Sequence, residues 1–103
     1  MNEDKKKRLE ATDWKEKGNS YYELGQYKKA IECYNKALGL HRQYPKVWYS
    51  KARCHSRLGE KDKAVDSLRE AIKFDYENRE RVKQDEDFKA YWDDPDFLEI
   101  VGE

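Results

Sequence analysis

The chain has 103 residues and sets 22 Lys and Arg against 22 Asp and Glu; 43% of it is charged and 37% hydrophobic. That length holds one small domain and excludes two independent cores, and no apolar run approaches the roughly 18 residues of a membrane-spanning helix. A composition this polar ordinarily stays unfolded, but 3 Trp, 8 Tyr and 3 Phe are too many for an unfolded spacer and predict a thin helical protein, rich in surface and lean in core.

Residues 1–10 form a charged lead-in. Lys5-Lys6-Lys7-Arg8 admits two readings, a nuclear-import or nucleic-acid patch or a frayed, soluble approach to the first helix, which is the commoner role of charged termini. No apolar stretch follows it, so it does not read as a secretory signal. Two cysteines, Cys33 and Cys54, make no disulfide framework and point to a reducing, cytoplasmic setting.

From residue 11 onward the chain repeats itself. Trp14 recurs as Trp48, Gly25 as Gly59, Ala30 as Ala64 and Ala37 as Ala71, each pair 34 residues apart. Within residues 11–44, Trp14, Gly18, Tyr21 and Gly25 mark one face of a helix. After the break at Gly25, a second helical stripe follows through Tyr27, Ala30, Ile31, Tyr34, Ala37 and Leu38. Residues 45–78 repeat the plan with Trp48, Ala52, His55 and Leu58, then Ala64, Val65, Leu68, Ala71 and Ile72. Pro45 stands in a first helical turn, where its missing N–H is harmless. Gly18 facing Ala30, and Ala52 facing Ala64, would let the paired helices approach closely.

Residues 79–103 carry Val82, Phe88, Tyr91, Trp92, Phe97, Leu98, Ile100 and Val101. Arg79–Gln84 is placed to begin a third opening helix, with Val82 where a repeat's Trp would fall. Asp94-Pro95 is a helix start, Asp capping and Pro at the first helical position. One helix, a turn and a short second helix ending near Gly102 are expected, covering the apolar face that the last repeat leaves open.

The 34-residue unit resembles the tetratricopeptide repeat, whose pattern W-x2-L-G-x2-Y…A-x3-F is met by Trp14-x2-Lys17-Gly18-x2-Tyr21…Ala30-x3-Tyr34. The second copy gives Trp48-x2-Lys51-Ala52-x2-His55…Ala64-x3-Leu68. The chain departs from the pattern at Lys17, Lys51 and His55, and has no proline where Arg42 and Tyr76 stand. The resemblance implies an all-α fold, an antiparallel helix-turn-helix solenoid of about six helices. It also implies a protein-binding scaffold, with the opening helices lining a concave groove. The Asp87-Phe88…Asp94-Pro95-Asp96-Phe97 texture is similar to endings seen after the last repeat in prokaryotic members.

Nothing in the sequence marks an enzyme. There is no Gly-rich phosphate loop, no Ser in a His/Asp setting and no HExxH. Cys33, His41, Cys54 and His55 lack zinc-motif spacing, so both thiols are assigned to packing. Asp93, Asp94 and Asp96 lack the pattern of a calcium loop and are assigned to helix capping. No cofactor is implied.

The implied groove is lined by Thr12, Lys15, Asn19, Tyr22 and Glu23 from the first copy, and by Lys46, Tyr49, Ser50, Arg53, Ser56 and Arg57 from the second. Lys15, Asn19, Tyr22, Lys46, Tyr49, Arg53 and Arg57 are the candidate binding residues. Their cations suit carboxylates, the Asn19 amide suits a peptide backbone, and the two Tyr suit apolar side chains. The preferred partner is therefore an acidic peptide segment of another protein. Lys15-Glu16-Lys17-Gly18-Asn19 further resembles the opening of the carboxylate-clamp repeats of co-chaperones, which grip acidic C-terminal tails; on that resemblance Lys15 and Asn19 match the clamp's first Lys and Asn. Lys46 and Ser50-Lys51-Ala52 are similar to its later Lys-x3-Arg-Lys-Ala segment, with Ser in place of Arg.

Two other functions stay open: nucleic-acid binding by the basic body, against which the balancing acidic segment argues, and self-association through the open end of the solenoid. Charge is also unevenly spread. Residues 1–74 hold 18 basic and 11 acidic side chains, whereas residues 75–103 hold 4 and 11. Residues 85–103 therefore either fold back into the basic groove and compete with a ligand, or cap the last repeat through Phe88, Trp92 and Phe97.

Overall fold

In the computed structural model, which describes residues 2–102, helices α1 (Glu3–Glu23), α2 (Tyr27–Leu40), α3 (Pro45–Arg57) and α4 (Lys61–Phe74) form two antiparallel pairs. A short α5 (Asn78–Val82), a 3-10 helix (Glu86–Tyr91) and α6 (Pro95–Val101) complete the chain. The fold is an all-α solenoid measuring 46 × 27 × 19 Å.

The two copies turn by the same device. Gly25 and Gly59 each take a left-handed φ of 75°, a conformation that favours residues lacking a Cβ. Around the first, Gln26 N–H donates to Tyr21 O and Gly25 N–H to Tyr22 O, both at 2.9 Å; Glu60 to His55 and Gly59 to Ser56 repeat the pair at 2.9 and 3.0 Å. These crossed bonds satisfy carbonyls that the ending helix leaves unpaired.

Small residues set the spacing within each pair. Ala30, Ala37, Ala52, Ala64 and Ala71 are fully buried. Gly18 faces the Tyr34 ring: a Cβ placed on it would stand 2.6 Å from Cε1 of that ring. The lysines that replace the family's Leu cover the tryptophans instead. Lys17 Nζ lies 5.2 Å from the Trp14 ring centre and Lys51 Nζ 5.3 Å from that of Trp48. Their stems add apolar cover while the ammonium meets the ring face.

Two features differ from expectation. The charged lead-in is helical: α1 starts at Glu3, and the Asn2 side chain accepts from Lys5 N–H at its first turn. A short polar residue at that position satisfies one of the unpaired N–H groups of the helix start. Beyond the second repeat, the third opening helix stops after five residues. Asp85 then caps the 3-10 helix by accepting from Asp87 N–H, a local bond that competes with helix continuation.

The short third unit still closes the core. Val82, Phe88, Phe97 and Val101 are buried with Tyr49, Ala52, Leu68 and Ala71. Asp94 caps α6 by accepting from Asp96 N–H, with Pro95 in the first turn, and Gly102 ends the helix with a φ of 81°. Trp92 Nε1 donates to Val82 O at 2.8 Å. Among the described residues no helix is long and apolar enough to cross a membrane.

Candidate functional site: a carboxylate clasp in the groove

Helices α1 and α3 stand side by side, as the repeat implies, and present Tyr22 and Arg53 to one another. Arg53 Nη2 donates to Tyr22 Oη at 2.6 Å, and its guanidinium lies 4.5 Å from the centre of the Tyr22 ring. One turn along α3, Arg57 stands 5.6 Å from the Tyr27 ring centre. Both guanidinium groups are thus backed by aromatic rings, which take up the flexibility of the long side chains.

The groove is occupied by the chain's own acidic turn. Arg53 Nε donates to Asp87 Oδ2 at 2.9 Å, Arg57 Nη1 to Asp87 Oδ1 at 3.0 Å, and Tyr22 Oη also donates to Oδ2. Two residues earlier, Asp85 Oδ2 accepts from Tyr49 Oη at 2.7 Å and lies 3.4 Å from Arg53 Nε. Ser56 Oγ donates to the Asp87 carbonyl. One carboxylate is therefore held by two guanidinium groups and a phenol, and a second by a phenol and the edge of Arg53.

The electrostatics follow from this packing. Burial opposes charge on Asp87, but hydrogen bonds from Tyr22 and Arg53 outweigh it and hold the carboxyl below its usual range. For Arg53, burial also works against the charge, yet Asp87 and Asp85 more than restore it. Burial, then the bonded carboxylate, raise the Tyr22 and Tyr49 phenols well above their ordinary value. Both phenols are therefore fixed as donors to Asp87 and Asp85 across the physiological range.

Of the seven candidate residues, Tyr22, Tyr49, Arg53 and Arg57 are brought together in this clasp. Tyr49 is buried at 8% exposure and Ser56 at 7%, so these two do not line an open trough: the acidic turn and Phe88 cover them. Lys15, Asn19 and Lys46 lie outside the clasp. Lys15 is half-buried with its ammonium 5.7 Å from the Tyr44 ring, and Lys46 is exposed at the start of α3. Among the described residues neither lysine has an ion-pair partner. Asn19 does not have a wholly unengaged amide, because its Oδ1 accepts from Tyr34 Oη at 2.6 Å.

Elsewhere Cys33 and Cys54 are buried and unlinked, and no three His, Cys, Asp or Glu among the described residues are grouped to hold a metal. Asp94 and Asp96 both reach Lys61, at 3.2 and 3.0 Å, a second tie between the acidic end and the basic body.

Comparison with known proteins agrees with this architecture. A TPR repeat model matches residues 18–59, and a tetratricopeptide repeat model matches residues 45–78. Dynein axonemal assembly factor 4 of Rattus norvegicus is 36% identical over 61 residues, 58% of this chain and 14% of that protein. A TPR repeat-containing protein of Methanocaldococcus jannaschii is 36% identical over 66 residues, 64% of this chain and 12% of its own length. The Protein SGT1 homolog of Dictyostelium discoideum is 33% identical over 58 residues, 56% of this chain and 15% of that protein. The matched segment is thus about a seventh of these relatives. With two matched repeats, paired helices at a 34-residue period and a shared groove, the chain belongs to the tetratricopeptide-repeat family of protein-interaction modules.

Proposed function

We propose that the chain is an adaptor that binds a short acidic peptide of a partner protein in the groove between α1 and α3. One observation carries this reading: Arg53 and Arg57, expected to hold carboxylates, hold that of Asp87, and Tyr22 and Tyr49, expected instead to cover apolar side chains, donate to Asp87 and Asp85 of the same acidic turn. Charge-assisted hydrogen bonds of this kind are among the strongest a protein surface makes.

The outer part of the groove extends the same chemistry. Lys15 and Asn19 lie four residues apart on α1, in the arrangement that resembles the carboxylate-clamp co-chaperones, and Lys46 adds a third polar group. The relatives support an adaptor role in general terms, since one bears the name of an assembly factor.

The test is an array of acidic peptides probed with wild type, Lys15→Ala, Lys46→Ala and Arg53→Ala. Binding is expected to fall a few-fold with either lysine variant, as for partly exposed ion pairs, and further with Arg53→Ala. Acidic peptides that bind all four proteins equally would overturn the reading.

A further inference from the structure

We propose that the inner half of the groove recognises a specific element, two carboxylates separated by one residue and followed by an aromatic side chain. On this view Asp85-Glu86-Asp87-Phe88 is its resident ligand, which a partner peptide of the same chemistry displaces. This rests on the adaptor reading and adds the partner's chemical signature and the means by which the site is held closed.

Each part of the signature is assigned by contact. The second carboxylate, that of Asp87, receives Arg53 and Tyr22 on one oxygen and Arg57 on the other, so an amide in its place would turn an NH2 donor toward one of the two guanidinium groups. The first, that of Asp85, receives Tyr49 and the flank of Arg53. The residue between them, Glu86, is exposed, and its carboxylate lies 4.0 Å from the Lys89 ammonium, away from the clasp's arginines. The position after the second carboxylate is filled by Phe88, fully buried, its ring 5.6 Å from that of Tyr49 in an edge-on arrangement.

The receiving surface is built largely from the repeats. Arg53 and Arg57 are held over Tyr22 and Tyr27, rings contributed by α1 and α2, so the clasp keeps its shape when the turn leaves. A cleft that Arg53, Arg81 and Gln84 line together with the acidic Glu80, Asp85 and Glu86 runs beside the turn, so an incoming acidic chain meets the turn's own charges on its path to the clasp. Tied to the same chain, the resident turn acts at a high effective concentration, so a free peptide competes only weakly until the turn's own charges are removed.

The experiment measures binding of an acetylated, amidated peptide copying residues 84–92 to the full chain. The proteins are wild type, Asp85→Asn/Asp87→Asn, and that double variant with Arg53→Ala added. Removing the resident carboxylates is expected to tighten binding about tenfold or more; adding Arg53→Ala is expected to abolish the gain, and a peptide with Asn at both acidic positions is expected not to bind. A double variant that melts cooperatively yet binds no tighter than wild type overturns the proposal. Asp85→Asn alone, at the less buried position, serves as the second variant. If it and the double variant both lose cooperative unfolding, the turn is a structural lock that no ligand displaces, and the proposal is equally overturned. Failure of the adaptor reading looks different: array peptides indifferent to Lys15 and Lys46 would leave the gain for the 84–92 peptide intact.

Discussion

Arg53 and Asp87 are 34 residues apart, one full repeat, and their side chains meet at 2.9 Å. Asn19 precedes Arg53 by the same interval, so the three residues hold one register position in successive units. In the first two units that position lies on an opening helix. In the third, α5 has ended at Val82 and the chain turns back, bringing a carboxylate onto the arginine of the unit before it. The surplus of positive charge in residues 1–74 and of negative charge beyond is partly neutralised at this contact.

Acid should loosen this contact selectively. The Asp87 carboxyl is depressed in the folded chain, so its contribution is complete above the ordinary carboxylate value of about 4 and is lost as pH falls through the lower folded value. Denaturant melts taken from pH 7 to pH 2.5 should show wild type losing stability faster than Asp87→Asn below about pH 4. Parallel losses in the two proteins would separate acid sensitivity from Asp87.

The aromatic beside the carboxylate provides the cover that two repeats alone lack. Phe88 is fully buried and its ring meets both Tyr49 and Phe97. Phe88→Ala should cost about 3–5 kcal/mol in urea unfolding and should raise the exchange rates of backbone amides in α6. A loss below about 1 kcal/mol would show that the third unit is dispensable to the core.

Two helical glycines should respond in opposite directions. A Cβ on Gly18 meets the buried Tyr34 ring at 2.6 Å, and that ring is anchored by its bond to Asn19; Gly18→Ala should destabilise by about 1–3 kcal/mol through overpacking. Gly39 in α2 has nothing within 4 Å of an added Cβ, so Gly39→Ala should stabilise by about 0.5–1 kcal/mol through helix propensity. Thermal or urea melts of the two variants decide both signs.

The fold was legible because its signals are local or periodic. Trp14 and Trp48, Gly25 and Gly59, and the paired alanines fix the helices and turns, and Asp94-Pro95 fixes the last helix start. The clasp was legible in half. Tyr22, Tyr49, Arg53 and Arg57 follow from the period, since every opening helix offers the same face to the groove. Asp85 and Asp87 do not, because their position depends on where α5 stops, and that is set by a side chain capping a 3-10 turn rather than by Gly or Pro. The charge split showed that a negative segment stands opposite a positive body, but not which of its carboxylates are buried. Capping and groove filling, posed as alternatives from sequence, are carried out together by adjacent residues: Phe88 enters the core and Asp87 enters the groove.

Cys54 should be inert while the chain is folded. It is fully buried, and burial is the main cause that pushes its thiol up to about 12. Since the thiolate is the reactive form, a thiol reagent at pH 8 should label Cys54 only as fast as the protein opens. Labelling should accelerate in Phe88→Ala in step with its lost stability. Rapid labelling of wild type at a rate independent of stability would place Cys54 in solvent.

A double-mutant cycle on Arg53 and Asp87 most directly tests whether the acidic turn is seated in the groove. Unfolding free energies of wild type, Arg53→Ala, Asp87→Asn and the double variant should give a coupling of about 1.5 kcal/mol or more, as measured for close, partly buried charge pairs. Additive losses, agreeing within about 0.5 kcal/mol, would mean that the two side chains do not meet in solution and that the groove stands empty.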